Sequence, residues 1–208
     1  MARLRQGKRL LPARFFLRDT AETARELLGR RLVRTLPDGS SVAVIVVETE
    51  AYLGVGDRAA HTWNGRRTPR VLPMWGPGGH AYVYRIYGLH HCLNVVTKRA
   101  GEPEAVLVRA AVPEDEWLDR SAAGSLRFSG PGKLCAGLAI TTALSGASLR
   151  GPELRLEAGP DRPFDVLVGP RVGVDYAGEA AAWPLRFGVA GCRAVTARKA
   201  LSGSRPGS

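Results

Sequence analysis

The segments V-E-T-E-A-Y-L-G (Val47–Gly54), A-A-H (Ala59–His61), G-R-R-T-P-R (Gly65–Arg70), A-Y-V-Y-R-I-Y-G (Ala81–Gly88) and C-L-N (Cys92–Asn94) follow one another within 48 residues and decide how this chain is read. The run that leads into them, Val42–Val47, is β-branched and almost continuously apolar, the pattern of a strand buried on both faces. Glu48 and Glu50 stand at its end, and they point the same way only if the strand persists through Glu50. Ala81–Tyr87 reads as a second strand, with Tyr82 and Tyr84 on one face and Tyr87 projecting differently.

Working outward, Pro37-Asp-Gly-Ser40 is a strong turn signal between Arg31–Leu36 and Ser41–Thr49, so a hairpin is expected there. Asp19-Thr-Ala-Glu22 resembles a capping box and starts a short helix, Ala21–Leu28, closed by Gly29. Gly54–Gly79 is rich in Gly, Pro and Arg and should be irregular, apart from a turn of helix around Asp57–His61. Leu93–Lys98 and Ala105–Ala111 are further strands, and Leu154–Glu157, Val166–Val168 and Leu185–Val189 short ones. Glu114–Arg120 and Lys133–Leu138 look helical. The sum is an α+β fold with antiparallel strands and peripheral helices. Met1–Leu10 and Ser202–Ser208 read as loose ends around one domain spanning residues 11–201.

At 208 residues the chain is long enough for one domain with a full core. No apolar run approaches the roughly 20 residues of a membrane span, and no signal-peptide h-region follows Met1. Three cysteines without a C-x-x-C pair (Cys92, Cys135, Cys192) argue against a disulfide framework or a zinc ribbon and fit small buried hydrophobes in a reducing compartment. The net charge of +11 is unevenly spread. Residues 1–40 carry +6, residues 192–208 carry +4, and Arg58–Arg109, with eight basic and two acidic side chains, carries +6 again. A basic surface releases counterions from a phosphate backbone, so nucleic acid leads as partner, with a merely solvated basic surface as the alternative.

Glu-Ala-Tyr (Glu50–Tyr52) sets a carboxylate beside an aromatic wall, which suits polarising a water next to a developing cation; both glutamates could equally be strand-end surface charges. Each tyrosine could be ordinary core packing, and His61 a hydrogen-bonded structural histidine. Two other patterns are set aside. Gly130-Pro-Gly-Lys133-Leu lacks the first glycine and the hydroxyl residue of a phosphate-binding loop. His90-His91-Cys92 has no second ligand pair, and adjacent residues on an extended chain diverge, so no metal is expected.

The motifs quoted at the outset, in that order, resemble the alkyladenine (3-methyladenine) DNA glycosylase family, from about Leu11 to about Val195. The resemblance implies a monofunctional enzyme without cofactor. It would flip alkylated or deaminated purines out of duplex DNA and hydrolyse their N-glycosidic bonds, leaving an abasic site in base excision repair. It assigns water activation to Glu50, oriented by Arg109, and stacking on the base to Tyr52, His61 and Tyr84. Asn94 would lie against the purine amino-group edge. Tyr87 would fill the gap in the helix, with Leu89 and His90 along the minor groove. Arg66, Arg67, Arg70 and Lys133 are the expected phosphate contacts. The family fold resembles the tRNA-contacting C-terminal domain of methionyl-tRNA formyltransferase, so a non-catalytic nucleic-acid-binding module is the competing class. Such a module would not need Glu50, Tyr52, His61 and Arg109 together. Double-stranded DNA with damaged purines is the expected partner, with no membrane and a monomeric chain, cytoplasmic and nucleoid-associated in a bacterium or nuclear in a eukaryote. Three positions depart from the family pattern: Val71 after T-P-R, Arg85 between the tyrosines, and His90 where an aromatic is usual.

Overall fold

The long strand β2 (Ser41–Tyr52) is the spine of the molecule. In the computed structural model, which describes residues 9–118, 123–160 and 163–203, it runs past the expected end at Thr49 and carries both glutamates inside the strand. One of its edges pairs along its length with β5 (Glu104–Pro113). The other is shared: β1 (Arg31–Thr35) takes the first half, from Thr35↔Ser41 to Arg31↔Ile45, and β8 (Arg186–Val189) takes Glu48 to Glu50. The remaining strands are β3 (Ala81–Ile86), β4 (His90–Thr97), β6 (Leu154–Glu157), β7 (Val166–Gly169) and β9 (Ser202–Gly203). Together they form one curled, wholly antiparallel sheet of order β3-β4-β5-β2-β8-β7-β9, with β1 on β2 and β6 on β1. Few helices accompany it, and the architecture is α+β in a single domain.

Local chemistry explains the ends of the elements. Asp19 caps α1 (Thr20–Leu27) by accepting from the Ala21 and Glu22 N–H groups at 2.9 and 3.0 Å. The helix stops at Gly29, whose φ of +76° and whose approach to the Phe164 ring exclude a side chain. In the β1–β2 hairpin Asp38 accepts from the Ser40 N–H at 2.9 Å, fixing the expected turn. The second helix, α2 (Pro131–Gly137), starts two residues before expectation, with Pro131 preset for its first turn.

Three expectations need correction. Asp57–His61 is not a helical turn: the Asp57 carboxylate accepts from the Leu53 and Ala59 N–H groups at 3.0 and 2.9 Å, which folds the loop around a side chain. Of the expected helix Glu114–Arg120, only a 3-10 turn at Asp115–Leu118 forms, and Arg120 lies outside the described residues. The loose ends are shorter than expected. Leu10 bridges to Glu157, and Ser202–Gly203 pair with Val168 and Leu167. The Arg9 carbonyl accepts from the Ala158 N–H at 2.8 Å, and residues 1–8 and 204–208 lie outside the described residues. All three cysteines are buried and free. No helix is long and apolar enough to cross a membrane among the described residues.

Candidate active site and nucleic-acid interface

Halfway along β2 the pairing with β5 slips. Val46 opposes Ala111, Glu48 opposes Ala110 and Thr49 opposes Val108, so Val47 and Arg109 have no direct opposite number. Arg109 turns in beneath both glutamates. Its Nε lies 3.3 Å from Glu48 Oε1 and its Nη1 3.3 Å from Glu50 Oε2. Glu48 is saturated: Arg186 Nη1 donates to Oε1 at 3.2 Å, and Thr196 supplies its N–H at 2.8 Å and its hydroxyl at 2.9 Å. Glu50 accepts instead from the Tyr52 hydroxyl at 2.9 Å and the Val172 N–H at 2.8 Å. Two buried carboxylates thus face two buried guanidiniums, which offsets the cost of taking each charge from water. Burial raises the Glu50 carboxyl above the ordinary carboxylate range, against the pull of Arg109, the Val172 N–H and Tyr52.

A cavity of about 420 Å³ opens in front of this group, a size suited to a flat heterocycle. Glu50 lies just behind its wall, because Tyr52, Arg109 and Val172, all bonded to Glu50, line the cavity. Aromatic side chains crowd the same cavity. The His61 ring meets Tyr84 edge-on at 4.5 Å between centroids, Tyr84 lies 5.5 Å from Tyr82, and His61 Nδ1 is 2.9 Å from the Tyr82 hydroxyl. Burial, and then Arg70 and Arg66, lower the His61 pKa to about 4, so the ring is neutral at pH 7. Burial likewise raises the Tyr52 and Tyr84 hydroxyls well above the usual phenol. Asn94, on β4, donates its amide to the Tyr82 carbonyl at 3.1 Å and presents the rest of its side chain to the cavity.

The β3–β4 turn stands at the rim. Tyr87 and Gly88 both have positive φ, +52° and +68°, and the Leu89 N–H closes on the Ile86 carbonyl at 3.2 Å. This mirror-image turn suits the twist of a hairpin and lifts its tip clear: Tyr87 is 86% and Leu89 78% exposed. His90 borders the cavity next to Pro131 and Gly132 of α2, where a β-carbon on Gly132 would come within 3.2 Å of His90 Cβ.

Of the residues singled out in the sequence, Arg109, Tyr52, His61, Tyr84, Asn94, Arg70, Tyr87 and His90 line one cavity, with Glu50 behind it. Arg66, Arg67, Leu89 and Lys133 do not line it; all four are exposed. Arg67 stacks on Trp75 at 3.8 Å, and Trp75 Nε1 donates to the Arg66 carbonyl at 3.1 Å. Of the three departures, Val71 is buried against Met74 and Tyr82, while Arg85 is exposed on β3, the edge strand of the sheet. Sequence reasoning missed Tyr82 as the partner of His61, Val172 as a donor to Glu50, and the ion-pairing of Arg171 and Arg186. A signal existed for Arg186, a lone charge inside an apolar strand, which in a folded core must find a carboxylate. Among the described residues no three His, Cys, Asp or Glu side chains gather as metal ligands.

Comparison with known proteins agrees with this geometry. The family model for methylpurine-DNA glycosylase matches residues 14–193. A protein of Methanocella arvoryzae bearing the name 3-methyladenine DNA glycosylase is 49% identical over 185 residues, covering 86% of this chain and 91% of its own. Similarly named proteins of Desulfitobacterium hafniense and Bacillus thuringiensis are each 42% identical, over 83% and 85% of this chain and 91% and 93% of their own. Matches of that extent leave one assignment: the chain belongs to the methylpurine-DNA glycosylase family, hydrolases of N-glycosyl bonds that act on alkylated bases in DNA.

Proposed function

We propose that the enzyme binds double-stranded DNA as a monomer, flips a damaged purine into the 420 Å³ cavity and hydrolyses its N-glycosidic bond with a water activated by Glu50. Tyr52, His61 and Tyr84 clasp the base, and an electron-poor alkylated ring gains most from such a clasp. Tyr87 fills the gap left in the duplex, with Leu89 and His90 along the minor groove, and Asn94 meets the amino-group edge of the purine. Arg66, Arg67, Arg70 and Lys133 hold phosphates. Water oxygen bonds to C1′ as the C1′–N bond breaks. The water proton passes to the Glu50 carboxylate, and the bonding pair leaves with the base. Arg109 holds Glu50 in the ionised form that this step requires. The nucleophile is water rather than an amine: among the described residues Lys98, Lys133 and Lys199 are all outside the cavity lining, and Lys8 lies outside the described residues. The substrate class is 3-methyladenine, 7-methylguanine, hypoxanthine and ethenoadenine, and the product an abasic site.

The observation that carries this reading is a buried carboxylate, raised by desolvation, immediately behind an aromatic-walled cavity with an exposed tyrosine at its mouth. Its test is a panel of single-lesion duplexes scored for abasic sites under single-turnover conditions, with Glu50→Gln alongside the wild type. The amide keeps the shape and loses the basicity, so lesion binding should persist while excision falls at least about a hundredfold. Near-normal turnover by the variant would transfer the role to Glu48 or discard the scheme.

A further inference from the structure

Two loops pack against each other beside the cavity, and neither is held by sheet pairing. Leu53–His61 ends in the histidine that meets Tyr84, and Pro170–Val174 supplies the Val172 N–H that meets Glu50. Between them lies a fully buried ion pair, Asp57 with Arg171, that takes no part in the chemistry derived above. Arg171 Nη2 donates to Asp57 Oδ1 at 2.9 Å, and Nη1 reaches Oδ2. The same fork donates from Nη1 to the Ala51 carbonyl and from Nη2 to the Ala180 carbonyl, both at 3.0 Å. Its flat face lies 4.8 Å from the centre of the Tyr52 ring, on which it stacks. Asp57 in turn holds the Leu53 and Ala59 N–H groups.

We propose that Asp57 and Arg171 are positioning residues: acting through Tyr52 and the Val172 N–H, they fix the stacking face, the histidine loop and the Glu50 carboxylate at one separation. The pair therefore governs the chemical step, and DNA binding does not depend on it. This rests on the reading of Glu50 as the group that activates water.

The chemistry gives the pair a kinetic signature. Arg171 directly precedes Val172, so loosening its fork frees the Val172 N–H from Glu50 Oε1. Arg109 from β5, Glu48 from β2, and Tyr84 and Cys92 from β3 and β4 also face Glu50 and touch neither Asp57 nor Arg171, whereas Tyr52, the other donor to Glu50, loses the guanidinium that lies over its ring. Losing one donor to the ionised form makes the carboxyl a weaker acid still, and the acid limb of the rate profile moves to higher pH. A side chain that mattered only for folding would lower stability and amplitude together and leave that limb where it is.

The experiment uses the full chain with Arg171→Lys, Asp57→Asn and the double variant Asp57→Leu/Arg171→Met. Lysine keeps the charge but loses the planar fork. The double variant removes both charges, so no buried ion is stranded as it is in Asp57→Asn, although the Leu53 and Ala59 N–H groups lose their acceptor. Thermal melting, affinity for undamaged duplex and single-turnover excision of hypoxanthine across pH are measured on each. For every variant that folds we expect duplex affinity within about twofold of wild type. Excision should be slower by about ten- to a hundredfold, the scale of an ångström of misplacement, with the acid limb displaced upward. Wild-type rates in the double variant would overturn the proposal, as would a rate loss with an unmoved acid limb. Glu50→Gln runs beside them: if it stays active, the water-activation reading falls. If it is dead while the pair variants excise normally, only the positioning role falls.

Discussion

At the scale of single residues, burial displaces the titration of the groups around the cavity. His61 is the clearest, lowered by burial and by Arg70 and Arg66 from its ordinary 6.5 to about 4. In the unfolded chain the imidazole binds a proton below 6.5, while the folded protein resists doing so until about pH 4. Between those values the unfolded state holds more protons, so the contribution of His61 to stability is complete above 6.5 and is lost as pH falls toward 4. His61→Gln should therefore flatten the dependence of the urea midpoint on pH between 7 and about 4.5; parallel curves for variant and wild type would refute this. Glu50 is shifted the other way, so the excision rate should begin to fall, on acidification, above the ordinary carboxylate range. Strand alternation placed Tyr82 on the same face as Tyr84, but that His61 meets both is decided by a loop without period, so the His61–Tyr82 bond was not legible.

At the scale of elements, the β3–β4 turn should act as a unit separate from the pocket behind it. Tyr87→Ala leaves the left-handed backbone and its closing bond in place and removes only the exposed ring. Excision should weaken on all duplex lesions, because unstacking costs a few kcal/mol per step whatever base is flipped. Single-stranded lesions, with no gap to fill, should suffer less; a variant that changed base preference alone would move Tyr87 out of this role. The β1–β2 hairpin was legible because alternation and turn residues are local signals. Strand lengths were not: β2 reaches Tyr52, β4 begins at His90 and β5 begins at Glu104, each beyond its apolar run, because pairing with a neighbour pulls polar residues into the ladder. The Asp57 loop was misread as a helical turn for the opposite reason. A side chain replaces the backbone partners there, and no periodicity records it.

At the scale of the whole molecule, a charge of +11 is of the sign that attracts a phosphate backbone. Much of it, including Arg66, Arg67 and Arg85, is exposed, while Glu48, Glu50, Arg109 and Arg186 balance one another inside. Affinity for undamaged duplex should fall steeply with salt, and each phosphate-contacting arginine removed should flatten the log–log slope by about one unit. Binding indifferent to salt would end that interpretation. The interior balance was the part least readable in the sequence, since Asp57 and Arg171 lie 114 residues apart and Glu48 and Arg186 138 apart. Glu48 reaches further still, to the N–H and hydroxyl of Thr196, 148 residues downstream, and Arg186 to the Thr196 and Ala197 carbonyls. The network behind the cavity is thus fastened by a segment that contributes nothing to the cavity wall: without Thr196 the Glu48 carboxylate would lose its N–H and hydroxyl donors while the lining, which reaches no further along the chain than Tyr176, stays complete.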